Sequence, residues 1–182
     1  MDQALALAVH TAVGTWPLFD SAAALVGSFL PYLFVAAAIA VFFVSPGRAS
    51  GAAFGRRADR LHSLLRVAAG LLVSLGIVIP AIRVVYAPAR PFAVLGWKPL
   101  IAIAADQPSF PSGHATAFFF LATLMVGVDR ARAKWFFAAA AVIACARVYA
   151  GIHWPSDVVW GALLGVATGI AVRKFLPPLH GK

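Results

Sequence analysis

The sequence has no glutamate, a single cysteine and little charge of either sign. One cysteine, Cys145, excludes an intramolecular disulfide and a cysteine-built metal site. It lies in the apolar run Ala138–Ala146 and reads as a small buried hydrophobe. Charged residues make up 12% of the chain and hydrophobic ones 62%. Soluble domains carry about twice that charge, so the composition excludes an ordinary soluble globular protein and points to a polytopic membrane protein. Acid is the scarcer sign: six Asp face 15 Lys and Arg, a net +9. In a soluble protein such an excess would favour nucleic acid. Here loop charge that orients membrane spans explains it, and no nucleic-acid partner is expected. Met1-Asp2-Gln3 lacks the basic region of a secretory signal, so the first residues read as part of the mature protein.

What the chain has in abundance is apolar runs. Five read as spans: Ser21–Val44, Leu64–Val85 (with Pro80 tolerated inside it), His114–Val128, Lys134–Tyr149 and Ser156–Phe175. Residues 1–18 carry Leu5, Val9, Ala12 and Trp16 on one helical face, interrupted by His10, Gly14 and Pro17; an interfacial helix is preferred to a sixth span. Phe92–Asp106, broken by Trp97, Lys98 and Pro99, is expected along the surface or dipping partly in. No linker, repeat or low-complexity tract divides the chain. The expectation is an all-α polytopic membrane helical bundle of five to six spans, forming one domain over residues 1–182.

Alternating the five spans sorts the charges. Arg48, Arg56, Arg57, Arg60, Arg66, Arg130, Arg132, Lys134, Arg173, Lys174 and Lys182 fall on one side, which the positive-inside rule makes cytoplasmic. The other side keeps Arg83, Arg90, Lys98 and Arg147, and the N-terminus. On that outer side lie three motifs: Arg83-x6-Arg90-Pro91, Pro111-Ser112-Gly113-His114 and Arg147-x5-His153-x3-Asp157. Polar and ionisable residues at span ends are costly to place in a membrane and mark function. Arginine presents a planar fork that pairs with phosphate oxygens, which makes Arg83, Arg90 and Arg147 candidates for holding a phosphate. Ser112 and Gly113 before a helix supply a hydroxyl, close backbone approach and free N–H groups. Asp157 within reach of His153 would fix one imidazole tautomer and leave the other nitrogen nucleophilic. His114, opening the third span on the same face, is placed to protonate a departing oxygen and then activate water.

Blander readings stand beside these. A single arginine at a span end is often a snorkelling anchor, which applies to Arg90 and Lys98; Asp157 alone could be a helix cap. His62 and His180 fall on the cytoplasmic side, and His10 in the N-terminal helix, so none joins the site. Asp106 reads as a cap or an arginine's partner. A metal is not expected, because the arginines around His114, His153 and Asp157 would repel a cation.

In this order and spacing, the three motifs resemble the signature of the type 2 phosphatidic acid phosphatase superfamily. Two places depart from it: Arg83 stands where lysine is usual, and Ala146 where serine usually precedes the arginine. The resemblance covers residues 83–157 by motif. It implies metal-independent dephosphorylation without a cofactor, through a phosphohistidine. His153 would attack phosphorus, Asp157 support it and His114 protonate the leaving group. Arg83, Arg90, Ser112, Gly113 and Arg147 would hold the phosphoryl oxygens. The small size and the run Asp106–Thr116 are similar to bacterial undecaprenyl-diphosphate phosphatases. That likeness implies a bilayer-borne lipid diphosphate substrate, the recycling of a cell-wall lipid carrier, and an active site on the outer face of the bacterial cytoplasmic membrane. The alternatives are a phosphatidylglycerol phosphate, phosphatidic acid or lysophosphatidate phosphatase, a non-catalytic lipid-phosphate binder or transporter, and vanadate-type oxidation, which the spans disfavour.

Overall fold

A computed structural model describes residues 2–44 and 57–176, with side chains over 2–41 and 61–176. All its regular structure is helical: α1 (Asp2–His10), α2 (Pro17–Ser28), α3 (Leu30–Val44), α4 (Arg57–Leu71), a π-helical stretch Leu72–Val78, α5 (Ile79–Val85), α6 (Pro91–Leu95), α7 (Gly113–Met125), α8 (Arg130–Tyr149) and α9 (Pro155–Phe175).

Contacts along the helices fix their directions. Ser112 meets Asp157 at one end of α7 and α9, while Gly161, Gly165 and Gly169 face Ser112, Thr116 and Thr123 in succession. These two helices therefore run parallel. Between them the chain returns through α8, entered by a short turn and capped by Asp129, whose Oδ1 accepts the N–H groups of Ala131 and Arg132. The α4–π–α5 rod runs against α7, since Gly70 lies on Phe120 while Arg83 reaches Phe110 and Pro111. The α2–α3 pair runs against α8, with Gly27 at Arg147 and Phe34 stacked edge-on to Phe136 at 5.1 Å. Five passes of alternating direction result, as the sequence implied. The core lies around α7, where Phe118, Phe120, Leu121, Leu124 and Met125 are buried with Phe34, Phe136, Ile143 and Val172.

Several expectations need correction. The run Ser21–Val44 is not one straight span: α2 and α3 meet at a bend of 43° around Phe29. Residues 1–18 are not one helix: α1 ends at His10, a turn follows, and α2 already starts at Pro17. At nine residues α1 reaches only ~14 Å, too short to cross a ~30 Å hydrocarbon core. It packs by Ala6, by Asp2 on Ser156 and by His10 stacked on Trp97 at 3.5 Å. The second span starts earlier than Leu64 and is not regular. Pro80 supplies no N–H to the carbonyl four residues back, and the helix widens to π geometry just before it, with the Ile79 N–H donating to Ser74 O. Cys145 is exposed on the outside of α8, not buried.

Among the described residues, two helices can cross a membrane on length and composition, Leu61–Val85 and Pro155–Phe175, or three if α2 and α3 count as one bent span. The third and fourth spans fail that test for different reasons. At 13 residues α7 is short, but protein encloses it on most sides. Its neighbour α8 is long enough yet carries Arg130, Arg132, Lys134 and Arg147 at its two ends. Phe92–Asp106 is neither helix nor span beyond α6; Phe92 packs with Trp97, Leu100, Ile101 and Ile103 over Ala150 and Ile152, roofing the α8–α9 turn.

Candidate functional site

All eight candidate residues gather at one end of the bundle, where α5 ends, α7 begins, α8 ends and α9 begins. At its centre is the turn between α8 and α9. Gly151 takes a φ of +75°, which a side chain would strain, and so turns the chain sharply enough to set His153 beside the first turn of α9. There His153 Nδ1 lies 3.3 Å from Asp157 Oδ2, with the two side chains only 3% and 1% exposed. The same Oδ2 accepts the Trp154 N–H at 2.8 Å, so Asp157 both caps its own helix and orients the imidazole. The imidazole lies in the turn; burial pushes it below its ordinary pKa, and the hydrogen bond and charge of Asp157 oppose that shift.

The Pro111–His114 motif docks on this turn through the backbone. Ser112 N–H donates to Asp157 O at 3.0 Å, and Ser112 Oγ accepts from Ala115 N–H as the cap of α7. The first-turn N–H groups of α7 have no partner within the helix and face the same end. His114 is the exposed member. With Arg83 and Gly113 it lines a groove of ≈ 390 Å³ whose remaining wall is apolar: Leu75, Ile79, Ala117 and Phe118. It lies within electrostatic reach of Arg147, His153 and Arg90.

The three arginines are held differently. Arg83 Nε and Nη2 donate to the carbonyls of Phe110 and Pro111, at 3.1 and 3.3 Å. Arg90, only 3% exposed, donates to Gln107 O, Pro108 O and Ile152 O and so ties the long loop to the residue before His153. Arg147 Nη1 donates to Gly27 O at 3.2 Å, and its buried Nε has no partner among the described residues. A buried, unpaired guanidinium N–H is costly and is expected where an anion binds.

Lys98 and Asp106 are exposed and take no part in this cluster; Asp106 pairs with no arginine and caps no helix among the described residues. His62 lies near the start of α4, at the opposite end, and His180 lies outside the described residues. Sequence reading missed three supports. Ser109, fully buried, donates to Pro88 O and Ala89 O, and Trp154 Nε1 donates to Ala89 O at 2.9 Å, together pinning the Arg90 loop. The third is Gly161-x3-Gly165-x3-Gly169. A Cβ on Gly165 would come within 2.3 Å of Thr116 O, and one on Gly161 within 2.6 Å of Ser112 O. That spacing of small residues was available as a helix-packing signal.

The comparisons with known proteins decide the family. The family model described as PAP2 superfamily matches residues 81–180, from just before Arg83 to beyond α9. The chain belongs to the PAP2 superfamily. Among curated relatives of this PAP2 chain, the bacitracin transport permease protein BcrC of Bacillus licheniformis is 34% identical over half of this chain and 44% of that protein. An undecaprenyl-diphosphatase of Sulfolobus acidocaldarius is 34% identical over 46% of this chain and 41% of that one. The match thus spans less than half the length of either relative. Among solved structures, a transmembrane PAP2-type phosphatidylglycerolphosphate phosphatase from Bacillus subtilis superposes with a TM-score of 0.62 at 23% identity, over 96% of this chain and 83% of that one. At that identity the likeness supports the fold.

Proposed function

We propose that this protein is a membrane lipid phosphatase, working without metal or cofactor through a phosphohistidine, and that residues 1–182 serve as one domain for that reaction. The observation that carries the reading is the buried His153–Asp157 pair beside an arginine with an unsatisfied donor. With Nδ1–H donating to Asp157, Nε2 keeps its lone pair and attacks phosphorus. The bond from phosphorus to the leaving oxygen breaks, and that oxygen takes a proton from His114. His114 then takes a proton from water, the hydroxide attacks phosphorus, the P–N bond breaks and inorganic phosphate leaves. Arg147, Arg83, Arg90, the Ser112 hydroxyl and the N–H groups at Gly113 stabilise charge on the equatorial oxygens.

The preferred substrate is a polyprenyl diphosphate of the undecaprenyl type, hydrolysed to the monophosphate at the outer face of a bacterial cytoplasmic membrane. Two things support it: the likeness to a protein named undecaprenyl-diphosphatase, and the apolar groove that begins at His114. The outward orientation rests on charge, since Arg130, Arg132, Lys134, Arg173 and Lys174 all lie at the end opposite the site. Phosphatidylglycerol phosphate and phosphatidic acid are the alternative substrates. The likeness to BcrC, a protein named a bacitracin transport permease, favours a transport reading instead.

Phosphate release from a panel of purified lipid phosphates, with His153→Ala as control, tests this. We expect the diphosphate to be preferred, His153→Ala and His114→Ala each to lose at least ~1000-fold in kcat, and chelators to change little. Full turnover by His153→Ala would falsify the phosphohistidine route. Binding of the lipids without turnover by the native protein would favour the transporter.

A further inference from the structure

In an unbroken helix the carbonyl of Gly27 would accept the N–H of residue 31. Residue 31 is proline, which has no N–H and whose ring presses on the carbonyl four residues back. The helix breaks there: α2 and α3 meet at 43°, and the Gly27 carbonyl is left open at the bend. Arg147 Nη1 takes up that carbonyl at 3.2 Å, across 120 residues of sequence. Arg147 is 5% exposed, and among the described residues no carboxylate pairs with it and its Nε is without a partner.

We propose that the Pro31 bend is a positioning device for Arg147. A guanidinium is flat, so anchoring Nη1 on Gly27 O sets the whole plane. The anchored corner leaves the opposite edge, Nε–H and Nη2–H, as a parallel fork. That edge can meet two oxygens of one phosphoryl group. Pro31 and Gly27 are positioning residues acting through Arg147 and touch no substrate themselves. Sequence motifs give no hint of this, because Pro31 lies before residue 81, where the family match begins. The inference rests on the function proposed above and adds a regulator of geometry to it.

The test is Pro31→Ala, which returns an N–H to residue 31 and lets Gly27 O bond within a continuous helix. Release of Nη1 frees the guanidinium plane. We expect kcat on the preferred lipid phosphate to fall about tenfold, the effect of one misplaced charged donor, with KM within about twofold. Thermal stability should stay level or rise, because a helix is completed; a merely structural proline would lower stability and activity together. In an Arg147→Lys background, Pro31→Ala should add no further loss, since the fork it positions is gone. Unchanged kcat in Pro31→Ala, or the same tenfold loss with Arg147→Lys, overturns the inference while leaving the phosphatase reading intact. If the native protein turns over no lipid phosphate, the phosphatase reading fails by itself, and the comparison moves to titration calorimetry with a nonhydrolysable lipid phosphonate. Tenfold weaker binding to Pro31→Ala then sustains the inference; equal binding, or none to the native protein, overturns it.

Discussion

Asp157 serves two donors with one oxygen, the Trp154 N–H and the His153 ring, and so couples the start of α9 to the tautomer of the proposed nucleophile. Burial lowers the affinity of the His153 ring for a proton, and Asp157 raises it. The consequence can be read by pH. A lowered pKa means the proton is lost at lower pH, so the neutral ring is present from below the usual imidazole value of ~6.5 upward. A ring-nitrogen NMR titration in the His114→Ala background should place the His153 midpoint below that value. Asp157→Asn should move it lower still, because the opposing influence is removed; an upward move would contradict the assignment. Most of this was readable from residue types: Arg147-x5-His153-x3-Asp157 already implied an imidazole and a carboxylate one helical turn apart. What the types did not reveal is that Arg90 spends three donors on carbonyls of its own loops. Backbone carbonyls have no sequence signature, so an arginine's partners stay hidden until the chain is folded.

The helices place the site by how closely α7 and α9 approach. With no side chains at Gly161, Gly165 and Gly169, Ser112 N–H reaches Asp157 O, and the Pro111–His114 loop docks on the turn that carries His153. Without water between helices in a bilayer, such packing rests on close contact. Gly165→Ala puts a Cβ where Thr116 O stands at 2.3 Å, and both are backbone-fixed. We expect a loss of about 1–3 kcal/mol, an overpacking cost, together with a large fall in kcat as the two motifs separate. Gly127→Ala meets nothing nearer than 3.4 Å and should change neither. Denaturant titration in detergent beside a turnover assay measures both; equal behaviour of the two variants would show that the α7–α9 approach is not what sets the site. The run Ser156–Phe175 was correctly read as a helix, but apolar counting treats glycine as one more small residue and so missed its packing stripe. Pro31 was hidden in the same way, inside a run long enough to pass as a single span.

The five alternating passes follow from contacts, and the sense proposed for them across the bilayer rests on charge. Counting apolar runs found the passes because each is bounded by polar residues; among the described residues Leu61–Val85, Pro155–Phe175 and the bent α2–α3 pair are also long and apolar enough to cross by themselves. Enclosed by its neighbours, α7 needs neither the length nor the all-round apolar surface of an isolated span. Basic residues cluster at the end where α7 passes to α8 and α9 finishes, and the arginines at the other end are committed to loops or to the site. An arginine held by carbonyls and an anion contributes little to retention on the cytoplasmic side, whereas free loop cations contribute fully. The orientation is then testable with single cysteines in a Cys145→Ala background, using a membrane-impermeant maleimide on spheroplasts. Ala105→Cys, on the exposed loop at the site end, should label in intact spheroplasts. Ala131→Cys, in the first turn of α8, should label only after the membrane is opened. The reverse pattern would put the His153 pocket in the cytoplasm, where it could not meet a lipid diphosphate left on the outer leaflet.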